Sequence, residues 1–169
     1  MGDPEARKTE LLFAALNARD VDKVRRILTA SEELVGAVCA VDADVKWRPL
    51  QVAAHIGDLP LVRCLVERFQ ALRAEKPSCG LRSKSAWKGS HSTECSSLHI
   101  ALDHGHVLIA EYLIEQLPAE FQNADARGDH LCRAAGGLGL PSVVMLMEKP
   151  EYDVNQRNLK ETPLIACLH

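Results

Sequence analysis

Four residues that can bind zinc lie close together in the middle of the sequence: Cys79, His91, Cys95 and His99. Structural zinc sites usually combine two closely spaced pairs, because each pair must come from one tight turn. Here eleven, three and three residues separate the four candidates, so the spacing disfavours a zinc site. We therefore expect no metal and no cofactor.

A glycine-rich run suggests a second kind of chemistry, because glycine loops can cradle phosphate groups. Gly137 and Gly139 have the spacing that opens a dinucleotide-binding loop. The third glycine of that motif is absent, and no strand is predicted before the run, whereas phosphate binding requires a strand-to-helix turn. We therefore predict an ordinary turn between two helices at this place.

Nucleophilic catalysis would need a cysteine, serine or histidine in a specific setting. Cys64, Cys132 and Cys167 fall at or near packing positions of predicted helices, where cysteine usually behaves as a small apolar residue. No serine, cysteine or histidine lies in a recognisable nucleophile motif. We therefore expect no enzymatic activity and no small-molecule substrate.

The composition limits the class of protein that holds these residues. The chain has 169 residues, 47% of them apolar and 25% charged, with a net charge of −3. It is long enough for one domain with a core, and it offers no general attraction to nucleic acid or anionic lipid. The N-terminus lacks the apolar stretch of a secretory signal, and the longest uncharged run, 134–147, is too short to cross a membrane. We expect a soluble cytoplasmic protein with reduced cysteines, with the nucleus as the alternative compartment.

The core must be built almost without aromatic side chains, which make up only 4% of the sequence. Leu, Val, Ile and Ala remain, and these residues favour closely packed helices over a sandwich or barrel. We therefore expect a helical rather than an all-β fold.

A short pattern recurs five times along the chain: a leucine, two further residues and then a small residue. The leading leucines are Leu11, Leu50, Leu98, Leu131 and Leu164, separated by 39, 48, 33 and 33 residues. A second apolar pattern, with residues three and four apart, follows the first four of them. Such spacing marks the buried face of a helix, so each unit is predicted to contain two short helices.

These units resemble the ankyrin repeat. One copy reads Ser-Leu-His-Ile-Ala at 97–101, and a second reads Arg-Pro-Leu at 48–50 with Ala-Ala at 53–54. The last copy reads Thr-Pro-Leu at 162–164, preceded by Asp-Val-Asn at 153–155. The resemblance covers nearly all of residues 9–169 and implies an all-α fold, an α-solenoid of stacked helix-turn-helix repeats with connecting hairpin loops.

The resemblance places residues 1–169 in one ankyrin-repeat domain. Its repeats are expected at about 9–46, 47–94 with a long loop at 70–94, 95–127, 128–159 and, in part, 160–169. The fourth copy has Asp129-His130 where the family has Thr-Pro. It also has Leu138 where the family has the turn glycine, with Gly139 one place later, and we expect a looser helix-to-helix turn there. The last copy stops inside its first helix on apolar residues, so we expect a longer protein or a partner that covers this end.

The 70–94 insert is rich in Ser, Gly, Lys and Arg, and residues 73–91 carry a net charge of +4 when His is neutral. Loops longer than about 12 to 15 residues are usually either functional or disordered, and both interpretations stay open. Trp87, between Lys84 and Lys88, is the residue of this loop that we would mutate first.

The resemblance implies binding of another protein, because ankyrin partners contact the hairpin tips and the first helix of each repeat. Carried over by position, the candidate contact residues are Trp47, Arg48, His55, Ile56, Trp87, Asp103, His104, Arg127, Asp129 and Arg157. Neither tryptophan falls at a core position of the repeat, and exposed aromatic and arginine side chains usually dominate binding. Two alternatives remain: an N-terminal regulatory or targeting domain of a larger enzyme, channel or signalling protein, and a metal- or nucleic-acid-binding module centred on the insert.

Overall fold

The computed structural model of the chain describes residues 4–40, 46–71, 96–116, 124–137, 140–156 and 162–167. The helices are α1 (Pro4–Asn17), α2 (Val21–Ala30), α3 (Pro49–Ile56), α4 (Leu59–Arg63), α5 (Ser97–Asp103), α6 (Val107–Gln116), α7 (Ala124–Gly136), α8 (Leu140–Met147) and α9 (Pro163–Ala166). A 3-10 helix at Glu32–Gly36 and a π-helical turn at Cys64–Arg68 complete the helical part. The predicted helical class is confirmed, and no helix in these ranges is long and apolar enough to cross a membrane.

One short antiparallel pair joins the first two pairs of helices. Strand β1 (Cys39–Ala40) pairs with β2 (Lys46–Trp47), and Cys39 lies opposite Trp47. The chain divides into two compact units, with a boundary between Ser97 and Leu98. The described residues before this boundary belong to the first unit, and those after it belong to the second.

In the first unit α1 packs against α2 and α3, and α3 packs against α4. The predicted register of α1 is wrong by one residue, because Leu11 is exposed whereas Leu12 and Ala15 are buried. The adjacent leucines allow both registers of the repeated pattern. Contacts with the neighbouring helices select the second one, since shifting a helix by one residue rotates its buried face by about 100°.

Three helix-to-helix connections share one backbone geometry. Arg19, Gly57 and Gly105 each adopt a left-handed conformation, with φ of 57°, 78° and 69°. The next residue then donates its backbone N–H to a carbonyl five residues earlier, in the pairs Asp20 to Ala15, Asp58 to Ala53 and His106 to Ala101. This left-handed cap ends the first helix and lets the second begin at once. Its threefold occurrence indicates three copies of one helix-turn-helix unit.

In the second unit α7 packs against α8 and α9, and α6 packs against α8. The small residues Ala101 and Ala134 are buried, as the pattern predicts, together with the leucines that precede them. Leu164 differs from the other leading leucines of this unit, because it is exposed while Pro163 and Ala166 beside it are buried. The glycine-rich run ends α7, and α8 begins at Leu140, so the predicted position between two helices is confirmed.

Helix α7 begins at Ala124, five residues before the Asp129-His130 position that the repeat pattern takes as the opening of the fourth copy. Arg127 and Asp129, predicted at the junction between two repeats, therefore lie inside a helix. Proline starts α3 and α9 at the corresponding place. Proline is favoured at the first helical position and disrupts the helix when it lies further inside. Because the fourth copy has His130 instead, the helix can extend toward its N-terminus.

Candidate functional site

Trp47, predicted outside the core, is buried and only 3% exposed. Its ring centroid lies 4.8 Å from that of His55, in the last turn of α3. The side chain therefore extends along the helix that follows β2, and the expectation of an exposed tryptophan at the hairpin tip is wrong. Burial of a ring of this size removes a large apolar area from water and stabilises the packing of the hairpin on α3.

The other candidates of the first unit lie at the two ends of α3. Arg48 is the residue before the helix, and its backbone N–H donates to Gln51 Oε1 at 2.8 Å, which fixes the helix start. His55 is exposed and Ile56 half-buried, and the Ile56 carbonyl accepts from Arg19 Nη2 at 3.2 Å. Arg48 and His55 are seven residues apart, so they lie on one face of α3 about 10 Å apart along its axis.

Two carboxylates predicted as partner contacts, Asp103 and Asp129, each form an ion pair with a residue of the neighbouring helix. Asp103 Oδ2 lies 3.7 Å from Arg133 Nη1, and Asp129 Oδ2 lies 3.0 Å from His99 Nε2. Both pairs connect α5 to α7. The His99 ring on α5 therefore contacts α7 through Asp129.

The contact with His99 keeps Asp129 ionised. Burial alone would raise the pKa of this carboxyl, but the interaction with His99 and the nearby charge of Arg133 outweigh it and lower the pKa to about 2. A buried carboxylate without such partners would be costly. The pair therefore serves the packing of α5 on α7 as a charge-assisted contact.

A second polar contact in the same region was not predicted from the sequence. His130 Nδ1 lies 3.1 Å from the Tyr152 hydroxyl, in the turn after α8, and both residues are buried. Burial, with the charges of His99 and Arg127, lowers the pKa of His130 to about 3 against the opposing effect of Asp129. Burial and the neighbouring Glu151 raise the pKa of Tyr152 to about 12. At neutral pH an uncharged imidazole therefore shares a hydrogen bond with a protonated phenol.

We name the four residues His99, Asp129, His130 and Tyr152 the polar cluster. Its two histidine rings are 5.7 Å apart between centroids. The sequence offered one signal for it, the replacement of Thr-Pro by Asp129-His130, because a histidine at a repeat opening needs a polar partner if it is buried. The side chains of the polar cluster are largely buried, and its contacts join α5, α7 and the turn after α8.

The remaining predicted residues are half-buried or lie outside the described ranges. His104 is half-buried, with its ring centroid 6.0 Å from that of His106, and Arg127 is half-buried on α7. Trp87 and Arg157 lie outside the described residues, as does the 70–94 insert beyond Ala71. Three of the four zinc candidates, Cys79, His91 and Cys95, also lie there.

The sequence matches no protein-family model and no curated protein. Support for any function therefore comes from the residues and the geometry of the chain itself.

Proposed function

We propose that this chain is a non-catalytic protein-binding module built from ankyrin-like repeats. The observation that carries the proposal is the helix-to-helix turn that recurs with a left-handed residue at Arg19, Gly57 and Gly105. The β1–β2 pair directly before α3 has the place of the connecting hairpin in the family. In repeat proteins of this kind the buried positions maintain the stack, while the loops and outward helix faces are left to vary with the partner.

In the first unit the proposed contact surface consists of Arg48, His55 and Ile56, with Trp47 packed beneath His55. The contact with the buried Trp47 ring restricts the motion of the exposed His55 ring in the proposal, and such restriction lowers the entropy lost on binding. In the second unit the corresponding candidates are His104 and Arg127. Asp103 and Asp129 contribute less in the proposal, because each already has a charged or polar partner on the neighbouring helix.

The double variant Arg48→Ala and His55→Ala tests the surface of the first unit. The matched control is Lys23→Ala and Arg26→Ala, which removes two exposed side chains from α2. Affinity capture of cell proteins on each immobilised chain, quantified by mass spectrometry, identifies a partner, and titration calorimetry with that purified partner measures its Kd. We expect the Arg48 and His55 variant to bind at least about tenfold more weakly than the wild type, and the control to bind as the wild type does.

Far-UV circular dichroism should show the same helix content for all three proteins, because none of the four side chains belongs to the core. Equal affinity of the double variant and the wild type would refute the contact surface. If the wild type retains no protein beyond those retained by an unrelated helical protein of similar charge, the binding function itself is refuted.

A further inference from the structure

Helix α8 exposes a row of large apolar side chains. Leu140, Val144 and Met147 are 73%, 53% and 40% exposed. Their spacing of four and three residues places them on one face of the helix. The other face of α8, with Met145 and Leu146, is buried in the second unit. A surface helix usually has polar residues on its outer side, and a contiguous apolar row there is typical of a binding site.

Acidic side chains border this row. Glu148 and Glu151 follow α8 in the chain, and both are exposed. Glu111 and Glu115 lie on α6, which packs against α8, and the exposed Leu108 shares their face because the three are spaced by three and four residues. Within α6, α8 and the turn 148–152, one cation accompanies these four carboxylates.

That cation, Lys149, is already engaged with one of the acidic residues. Its Nζ lies 3.8 Å from Glu111 Oε1, which joins the end of α8 to the outer face of α6. The described groups of this surface therefore carry a net negative charge at neutral pH. The carbonyl groups at the C-terminus of α8 add a partial negative charge at the same end.

We propose that the outer face of α6 and α8, made of Leu108, Leu140, Val144 and Met147 with the four bordering glutamates, binds a basic amphipathic helix of another protein. Apolar residues at positions i, i+4 and i+7 of the partner would cover the row on α8, which is about 10 Å long. Lysine and arginine side chains beside them would meet the glutamates. This surface lies on α6 and α8 and shares no residue with the tip and first-helix surface proposed above.

The charge selects this occupant over the two obvious others. In a symmetric dimer the same patch of each copy meets the other, so the glutamates of two chains would be brought together. An anionic membrane surface would repel the same carboxylates. A basic helix is the class of partner for which the apolar row and its acidic border both contribute favourably.

The experiment uses the full chain and a fluorescent synthetic helix with leucines at i, i+4 and i+7 and lysines beside them. Fluorescence anisotropy compares this helix with two matched peptides, one with glutamates for the lysines and one with the leucines moved to another register. We expect only the basic helix with the correct register to bind, and its affinity to fall as the salt concentration rises.

Two protein variants test the apolar row and its border separately. Val144→Gln should weaken binding by at least about fivefold, whereas Val154→Gln should leave it unchanged, although both valines are 53% exposed. Glu148→Lys with Glu151→Lys should weaken binding by about tenfold at low salt. The same exchange at the exposed Glu32 and Glu33 of the first unit is the control.

The proposal is overturned if the basic helix does not bind with a Kd below about 1 mM, or if the acidic peptide binds equally well. Equal effects of the two valine substitutions would also overturn it. Sedimentation velocity showing a dimer that Val144→Gln dissociates would assign the face to a second copy, and binding to anionic vesicles that depends on Val144 would assign it to a lipid surface.

Discussion

The contact between the ends of α5 and α7 at Gly137 leads to a quantitative stability prediction. A Cβ atom added at Gly137 would lie 2.8 Å from the carbonyl oxygen of Asp103, 3.0 Å from its Cα and 3.3 Å from its carbonyl carbon. Ordinary non-bonded contacts of carbon lie near 3.5 to 4.0 Å. All three neighbours are backbone atoms, so no side-chain rotation can relieve the contact. The Gly137→Ala substitution must therefore move α7 away from α5.

The expected cost follows from two opposing effects. Overpacking by one methyl group against a rigid neighbour costs about 1 to 3 kcal/mol. Alanine in place of glycine stabilises a helix by up to about 1 kcal/mol, and by less at a helix end. The displacement would also lengthen the Asp103–Arg133 pair, which joins the same two helices. We expect Gly137→Ala to lower the free energy of unfolding by about 1 to 2 kcal/mol.

Gly136→Ala is the matched control, because it makes the same substitution at the exposed preceding residue, the last of α7. It should be neutral or stabilise by about 0.5 kcal/mol. Urea denaturation followed by far-UV circular dichroism measures both variants under identical conditions. A Gly137→Ala protein as stable as the Gly136→Ala protein would refute the close approach of α5 and α7.

Five further substitutions test the core and the polar cluster. Trp47→Ala should lower the free energy of unfolding by about 3 to 5 kcal/mol in thermal or urea denaturation, since it truncates a buried ring, and Trp47→Phe should cost clearly less. The pKa of His130 is lowered from 6.5 to about 3 in the folded chain. Between these pH values the unfolded chain binds a proton that the folded chain does not, so the free energy of unfolding should decrease as the pH falls from 6.5 to 3. Urea midpoints measured across this range should show that slope for the wild type and a much smaller one for His130→Gln; equal slopes would contradict the assignment. Tyr152→Phe leaves His130 Nδ1 without the phenol and should cost about 1 to 3 kcal/mol at neutral pH; it should also reduce the loss of stability above pH 10, because the folded pKa of Tyr152 is raised to about 12. His130→Pro, which places a proline at the seventh residue of α7, should cost about 3 kcal/mol or more in urea denaturation because it interrupts the helix; an unchanged or higher stability would contradict the start of α7 at Ala124.

The elements that the sequence predicted are those whose signals are local. Paired helices follow from apolar residues three and four apart, and the turns at Gly57 and Gly105 follow from glycine, which adopts a left-handed backbone at little cost. The same turn at Arg19 has no such signal. Arginine seldom adopts this conformation, so the turn at Arg19 can be predicted only from the apolar pattern of the whole helix pair around it. Arg19 is held there by the cap hydrogen bond and by its own side chain, which donates to the Ile56 carbonyl.

The position of Trp47 could not be predicted from its place in a repeat. At a hairpin tip the family pattern specifies an outward residue, and a tryptophan there suggests a binding hot spot. The strand pair places Trp47 opposite Cys39, and its ring extends along α3 to His55. An aromatic ring just before a helix can pack on that helix or extend into solvent, and the side chains of the helix decide between the two. In this chain an exposed histidine ring supplied the contact.

The polar cluster lies at Asp129 and His130, where the sequence departs from the predicted repeat pattern. Helix α7 starts at Ala124, and Asp129 within it has its Oδ2 3.0 Å from His99 Nε2 on α5. His130 supplies the imidazole that bonds Tyr152 in the turn after α8. The second unit thus has polar contacts with specific geometry in addition to its apolar packing. Polar contacts of this kind have one favourable arrangement, whereas apolar packing tolerates several. The cluster therefore fixes α5, α7 and the turn after α8 relative to one another, and that turn carries the glutamates proposed to receive a basic partner.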